Sequence, residues 1–352
     1  MNAFAPVAGL SVRAANLADP GERQRIEAFI AGQPEAELFH RPAWSLAVER
    51  GCRQRAHYLV AEGRAGIEGV LPLTEMRSPL FGSALVSTGF GVGGGIVGSG
   101  VEALAGAAWD LAERLGCSTV EVRGGVIPPS WARREGVHAG FARELPQGED
   151  AILKAIPRKQ RAEVRRAQTF TLDVKIGRNE FDLADHYRVY SESVRNLGTP
   201  VFPRSLFSAM LEAFGEDSDI LTVSKDGVPV ASVLSFYFEG TVLPYWGGGT
   251  AAARTLRANE LMYFELMRHA SERGCTRFDF GRSKVGTGPY AFKKNWGFEP
   301  TPLVYAVRTA DGAAPREINP LNPKYRMQVE LWKKLPLWLA NRVGPYVSRG
   351  LG

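Results

Sequence analysis

The sequence predicts an α/β protein made of two tandem copies of one small domain, and three observations carry that prediction. First, the chain repeats itself. Phe39-His40-Arg41-Pro42-Ala43-Trp44 is echoed by Phe202-Pro203-Arg204-Ser205-Leu206-Phe207, and Val70-Leu71 by Val233-Leu234, both 163 positions later. Cys117-Ser118-Thr119-Val120-Glu121-Val122 is echoed by Cys275-Thr276-Arg277-Phe278-Asp279-Phe280, 158 positions later. Three echoes in one order at nearly one offset mark a duplicated unit of about 150 residues. Second, 352 residues exceed the length at which a single core stops growing. Third, both halves follow one grammar of helix, hairpin, glycine-ended strand, helix and strand.

That grammar is read off in order. Short helices over Pro42 to Arg50 and Arg204 to Phe214 precede alternating hairpins, His57 to Met76 and Ile220 to Phe238, with turns at Glu62-Gly63 and Asp226-Gly227. Next come the glycine clusters Gly91 to Gly95 and Gly247-Gly248-Gly249. The helix after the first cluster carries Val101, Leu104, Ala108, Leu111 and Leu115 on one face and stops at Gly116; its partner runs from Asn259, read as the N-cap, to Gly274. In the strand that follows, side chains alternate, so Asp279 faces away from Phe278 and Phe280, and Glu121 is its counterpart. The predicted boundaries are an N-terminal domain over residues 1–150, a C-terminal domain over 151–310 opened by a basic helical linker, and a tail over 311–352 with an amphipathic segment.

Composition excludes several classes. With 45% apolar and 23% charged residues the chain is neither disordered nor fibrous. Cys52, Cys117 and Cys275 share no CxxC spacing, which speaks against disulfides and zinc; a reducing cytoplasm fits, and no metal is expected. The first twenty residues lack the basic and apolar regions of a signal peptide. Residues 78–101 are uncharged, but eight of the 24 are glycine, so strand and loop are expected there and not a membrane span. No DNA-binding pattern is present. Gly89-x-Gly91-x-x-Gly94 is a literal GxGxxG, yet its helix starts about seven residues late and its counterpart in the second half gives it a structural cause. The five histidines are scattered and read as structural.

The order of elements, closed by Tyr290-Ala291-Phe292-Lys293-Lys294-Asn295-Trp296-Gly297-Phe298-Glu299, resembles the GNAT acyltransferase fold, and two such domains in tandem resemble the FemAB-like N-acyltransferases. Arg158 to Ala167 resembles the basic helix that opens the second Fem domain, and Phe292-Lys293 with Trp296-Gly297 resembles the Fem signature. The block Asp279 to Tyr290 is similar to the FemAB-related branch that accompanies exosortase/PEP-CTERM systems and exopolysaccharide loci. The resemblance implies transfer of an acyl or aminoacyl group to a small-molecule, glycan-linked or lipid-linked amine, in cell-envelope or exopolysaccharide synthesis. Acyl-CoA, acyl-carrier protein and aminoacyl-tRNA are the donors it leaves open. Arg254-Thr255-Leu256-Arg257-Ala258-Asn259 lacks the glycines with which GNAT enzymes hold the pyrophosphate of CoA.

Site residues follow from the chemistry that acyl transfer needs. Gly281 to Lys294 holds Arg282, Lys284, Lys293 and Lys294 among turn-forming glycines with no acid, a pattern suited to phosphate and equally to a solvated loop. Lys293 and Tyr290 stand three apart on one helix face; Lys293 is assigned to a phosphate or the acyl carbonyl, Tyr290 to substrate positioning, and Asp279 is the candidate base. Phe292, Asn259 and Trp246 are assigned to substrate binding around the glycine cluster. Arg158, Arg161 and Arg165, with Lys159 beside them, form a positive stripe suited to a nucleotide-linked acceptor or to tRNA, or to plain solvation. Leu331-Trp332-Lys333-Lys334-Leu335 with Trp338, Arg342 and Tyr346 suits either a membrane surface or packing on the second domain. The rival reading is a catalytically idle module that binds anionic glycan intermediates or tRNA.

Overall fold

The computed structural model describes residues 9–79, 81–313 and 323–352. The chain divides into two compact units, one of Met1–Gly136, Leu303–Asn319 and Tyr346–Gly352, the other of Val137–Pro302 and Pro320–Pro345.

The first unit runs β1 (Ser11–Ala14), α1 (Pro20–Ala31), α2 (Pro42–Cys52), β2 (Arg55–Gly63), β3 (Gly66–Ser78), β4 (Gly82–Ser87), β5 (Val97–Gly98), α3 (Val101–Leu115), β6 (Thr119–Arg123) and β7 (Ala132–Arg134). Asp19 caps α1 by accepting the Gly21 N–H, with Pro20 at the first position where its missing N–H is harmless. On α3, Leu104, Ala105, Ala108 and Ala112 form the buried stripe, and Gly116 (φ +67) ends the helix in the left-handed region.

The second unit runs β8 (His138–Glu144), α4 (Glu149–Ala155), α5 (Arg158–Gln168), β9 (Asp173–Gly177), α6 (Glu180–Leu197), α7 (Arg204–Phe214), β10 (Ser218–Lys225), β11 (Val228–Phe238), β12 (Thr241–Gly249), α8 (Ala251–Leu256), α9 (Ala258–Glu272), β13 (Arg277–Lys284), α10 (Gly288–Asn295) and β14 (Thr301–Pro302). After it come β15 (Tyr305–Thr309), α11 (Pro323–Lys333) and α12 (Leu337–Ser348). The β10–β11 hairpin turns on Asp226 and Gly227, both at positive φ, the geometry that matches strand twist. In the first unit the hairpin closes on Arg64-Ala65, between Gly63 and Gly66, slightly beyond the expected Glu62-Gly63.

The sequence repeat is a structural repeat. β1, α1, α2, β2, β3, β4, α3 and β6 correspond in order to β9, α6, α7, β10, β11, β12, α9 and β13. The sheets run β1-β2-β3-β4-β6-β15-β7, with β5 on β3, and β14-β8-β13-β12-β11-β10-β9. In each, one central parallel pair is joined through a helix: β4 with β6, and β12 with β13.

In each sheet the antiparallel strand beside the second strand of the parallel pair comes from the other half of the sequence. β8 precedes the linker yet pairs with β13, whereas β15 follows the second repeat yet pairs with β6. The compact units therefore change over at Gly136/Val137 and Pro302/Leu303, where the sequence pointed to residues 150 and 310. Two local readings also differ. The linker is two helices broken at Pro157, which cannot continue α4. Asn259 is the second residue of α9, not its cap; Arg257 at φ +55 holds the cap position.

The core of the second unit joins one sheet face, including Leu221, Val233, Val242, Phe278 and Phe280, to Leu261, Met262, Phe264 and Leu266 of α9. Each large side chain so buried contributes roughly 1.5–3 kcal/mol relative to its exposed state.

Candidate active site

β12 and β13 hydrogen-bond only at Thr241↔Arg277 and Val242↔Phe278, after which the ladder stops. Each strand carries a bulge just beyond. On β12, Tyr245 is the extra residue between Leu234↔Trp246 and Ser235↔Pro244. On β13, Phe280 and Gly281 stand opposite the single Phe141 between Asp279↔Ala142 and Arg282↔Gly140. Bulges bend strands, so β12 and β13 part beyond Val242 and Phe278.

The equivalent place in the first unit is closed. β4 and β6 pair at three positions, Ile96 bridges to Gly125 and Val126, and buried Arg123 donates Nη1–H to the carbonyls of Thr88 (3.3 Å) and Gly91 (3.1 Å) and Nε–H to Glu121 (2.7 Å). The Gly89–Gly94 run is tied inward: Gly89 N–H to Thr74 Oγ1, Gly91 N–H to Thr88 O, and Gly94 N–H to Glu37 Oε2. Glu37 thus occupies the place where a nucleotide phosphate would need those donors. Glu121 pairs with Arg123 and Arg134 and faces no splay.

The β13 bulge is built by two charged side chains. Asp279 Oδ1 accepts the N–H of Gly281 at 2.7 Å, and Gly281 adopts φ +65, which a residue with a side chain rarely takes. Lys293, buried on α10, donates from Nζ to the carbonyls of Phe280 (2.6 Å), Gly281 (3.2 Å) and Arg282 (2.9 Å). An ammonium has three N–H donors, and here all three meet main-chain oxygen. Burial pushes the Lys293 ammonium down to about 7, against the pull of Asp279; burial likewise raises the Asp279 carboxyl, opposed by Gly281 N–H, Arg277 and Lys293. Lys293 was expected to touch a phosphate or an acyl carbonyl. In this arrangement it holds the strand and has no N–H left over.

Tyr290 packs edge-on against Phe141 at 5.2 Å, and Lys293 Nζ lies 5.4 Å from that ring. Phe292 joins Tyr263, Phe280 and Trp296 in an aromatic wall with centroids 4.9–6.4 Å apart. Arg282 and Lys284 follow the bulge on β13 and are half-buried. Trp246 is 5% exposed and packs on Phe207 at 5.2 Å and Phe236 at 5.9 Å, so it belongs to the core and not to a pocket wall. Asn259 abuts Gly249 with a buried Oδ1 that accepts no hydrogen bond.

Tyr263 of α9 was missed by sequence reasoning. Its hydroxyl lies 3.3 Å from where a Cβ on Gly247 would stand, and burial pushes it up to about 12. Nothing but its place one helical turn after Asn259 marked it in the sequence.

On α5, Gln160, Val164 and Ala167 face inward and Glu163 pairs with Arg257 at 2.6 Å. Arg158, Arg161, Ala162 and Arg165 line a surface hollow, with Lys159 exposed beside it. Arg161 donates Nη2–H to the carbonyls of Ile156 (3.1 Å) and Lys154 (3.3 Å), so its role is partly to cap α4; Arg158 and Arg165 stay exposed. Glu163 and the half-buried Glu260, whose carboxyl is raised by burial, stand with Arg257 at the start of α9. Two carboxyl groups there disfavour an anion at that helix end. Among the described residues, no group of His, Cys, Asp and Glu is placed to hold a metal ion.

Residues 156–294 match the family model described as an acetyltransferase (GNAT) domain. No curated protein sequence matches the chain. Among solved structures, FemX is similar with a TM-score of 0.63 at 15% identity, covering 80% of this chain and 95% of that one. L-PGS from Bacillus licheniformis superposes with a TM-score of 0.53 at 13% identity over 90% and 98% of the two chains. A tandem GNAT protein from the clavulanic acid biosynthesis pathway does so at 0.53 and 13% over 87% and 100%. The architecture is a tandem GNAT fold, and FemX is similar to it in fold.

Proposed function

We propose that the protein is an N-acyltransferase or aminoacyltransferase of the FemAB type, with its reaction centre at the β12–β13 splay of the second unit. The observation that supports this reading best is the asymmetry between the repeats: the same parallel strand pair is open and doubly bulged in the second unit and closed by Arg123 in the first. An acceptor amine attacks the carbonyl of a carrier-bound acyl group. The new N–C bond forms, the bond from that carbon to the carrier breaks, and the amine's proton leaves with the carrier. The developing oxyanion is stabilised by main-chain N–H groups at the splay, a term worth about 3 kcal/mol per donor in acyl transfer. The Tyr263 hydroxyl, which burial keeps neutral beside Gly247, donates a proton in the transition state.

The Asp279–Lys293 pair is a positioning device that keeps the bulge in one shape, and orientation of this kind carries much of the rate in such reactions. The donor reading favours a polyanionic carrier, charged tRNA or acyl-carrier protein, over acyl-CoA. Glu163 and Glu260 occupy the start of α9, while Arg158, Lys159 and Arg165 offer exposed positive charge on α5. The likeness of Asp279 to Tyr290 to the exosortase-associated branch supports an acceptor amine from cell-envelope or exopolysaccharide synthesis.

Incubating the full chain with each donor class and an amine acceptor, then weighing the products, tests the reading. A new amide formed from tRNA or acyl-carrier protein supports it. Salt-sensitive binding of those carriers with no product would favour the idle binding module.

A further inference from the structure

No helix among the described residues is long and apolar enough to cross a membrane, yet one face of the C-terminal helices exposes the side chains that soluble surfaces usually hide. On α11, Met327 (81% exposed) and Leu331 (64%) stand one turn apart, with exposed Lys334 just beyond the helix. On α12, Trp338 (68% exposed), exposed Arg342 and Tyr346 (68%) recur every four residues and form one stripe. The opposite stripe, Ala340, Gly344 and Ser348, is buried. Its packing is close: a Cβ on Gly344 would sit 3.0 Å from the Val201 nitrogen, and Asn341 donates Nδ2–H to Ser191 Oγ at 3.2 Å. α11 is tied as well, Arg195 donating to the carbonyl of Lys333 at 3.3 Å. These helices cannot rotate to hide the outer face, so its exposure belongs to the folded state.

We propose that this face docks on an anionic lipid surface. The choice of occupant rests on charge complementarity. The face exposes Lys334 and Arg342, Glu330 of α11 is paired with Lys333 at 2.7 Å, and from Pro323 onward the sequence holds six Lys and Arg residues against that one acid. A second copy of so basic a face would repel itself. Trp and Tyr beside Lys and Arg on a helix lying flat suit the interface, where the ring enters the headgroup region and the cation meets lipid phosphate.

The test is flotation of the full chain with vesicles of phosphatidylcholine alone and vesicles with one third phosphatidylglycerol. Binding to the anionic vesicles only, weakened by added salt, is expected. Leu331→Ser with Trp338→Ser should lower it at least about tenfold, and Lys334→Glu with Arg342→Glu by about as much. Both pairs are exposed, so matching thermal melts establish that the variants remain folded. Brominated lipid should quench the fluorescence of the parent protein and not of Trp338→Phe. Absence of flotation with anionic vesicles, or equal flotation by the variants, overturns the proposal. So does a dimer mass in light scattering that Trp338→Ser reduces to a monomer while vesicles are ignored.

Discussion

Asp279 and Lys293 shape one bulge through opposite backbone groups: the carboxylate takes the N–H of Gly281, and the ammonium takes the carbonyls of Phe280, Gly281 and Arg282. A strand distorted in this way has lost its ladder partners, and a charged side chain replaces them from each side of the peptide unit. Lys293, which the sequence assigns to a phosphate or the acyl carbonyl, and Asp279, its candidate base, are therefore bound up in the scaffold of the site.

Lys293→Met should destabilise the fold by about 2–4 kcal/mol, because three buried carbonyls lose their donor and Asp279 loses its counter-charge. Urea unfolding measures this. A variant with unchanged stability and no activity would return Lys293 to direct chemistry.

Asp279→Asn keeps a carbonyl oxygen for Gly281 N–H and removes the charge facing Lys293. We expect at most about 1–2 kcal/mol of destabilisation. The rate should shift less than with Asp279→Ala, as a positioning role requires; a loss in Asn equal to that in Ala would instead mark the carboxylate as a base.

Tyr263→Phe removes only a hydroxyl at the splay. A kcat lowered by about 10²-fold with unchanged KM and melting temperature is expected if that hydroxyl donates a proton in the transition state. Equal kcat in the two proteins rules the role out.

Arg158→Glu with Arg165→Glu should raise KM for a polyanionic carrier and reduce its salt dependence by roughly two charges, leaving stability within about 0.5 kcal/mol. Arg161→Ala should differ, lowering stability by about 1 kcal/mol through the lost bonds to Ile156 and Lys154.

Acid should unfold the protein earlier than its surface charges alone dictate. His40 and His186 are both buried; burial depresses His40 to about 4 and His186 to about 3, below their ordinary 6.5. The unfolded chain therefore binds protons that the native state refuses. The stabilisation is complete above pH 6.5 and falls by about 1.4 kcal/mol per pH unit for each histidine, down to about 4 for one and about 3 for the other. Unfolding free energies at pH 7.5, 5.5 and 4.5 test the slope, and His186→Phe should flatten it.

Duplication, hairpins, the α7 and α9 frames and the alternation that turns Asp279 away from Phe278 and Phe280 were legible in the sequence, because side-chain periodicity and turn chemistry are local properties. The approximate place where the parallel strands part was legible too, from Gly247 to Gly249 and from Gly281. Tertiary structure alone decided three things. It assigned β8 and β15 to sheets outside their own repeats, which no pattern could reveal, since main-chain hydrogen bonds are blind to side-chain identity. It closed the first splay with Arg123 and left the second open, a difference made by one side chain reaching the carbonyls of Thr88 and Gly91. And it turned Trp246 into the core and Lys293 onto the backbone, because burial depends on what arrives from distant parts of the chain.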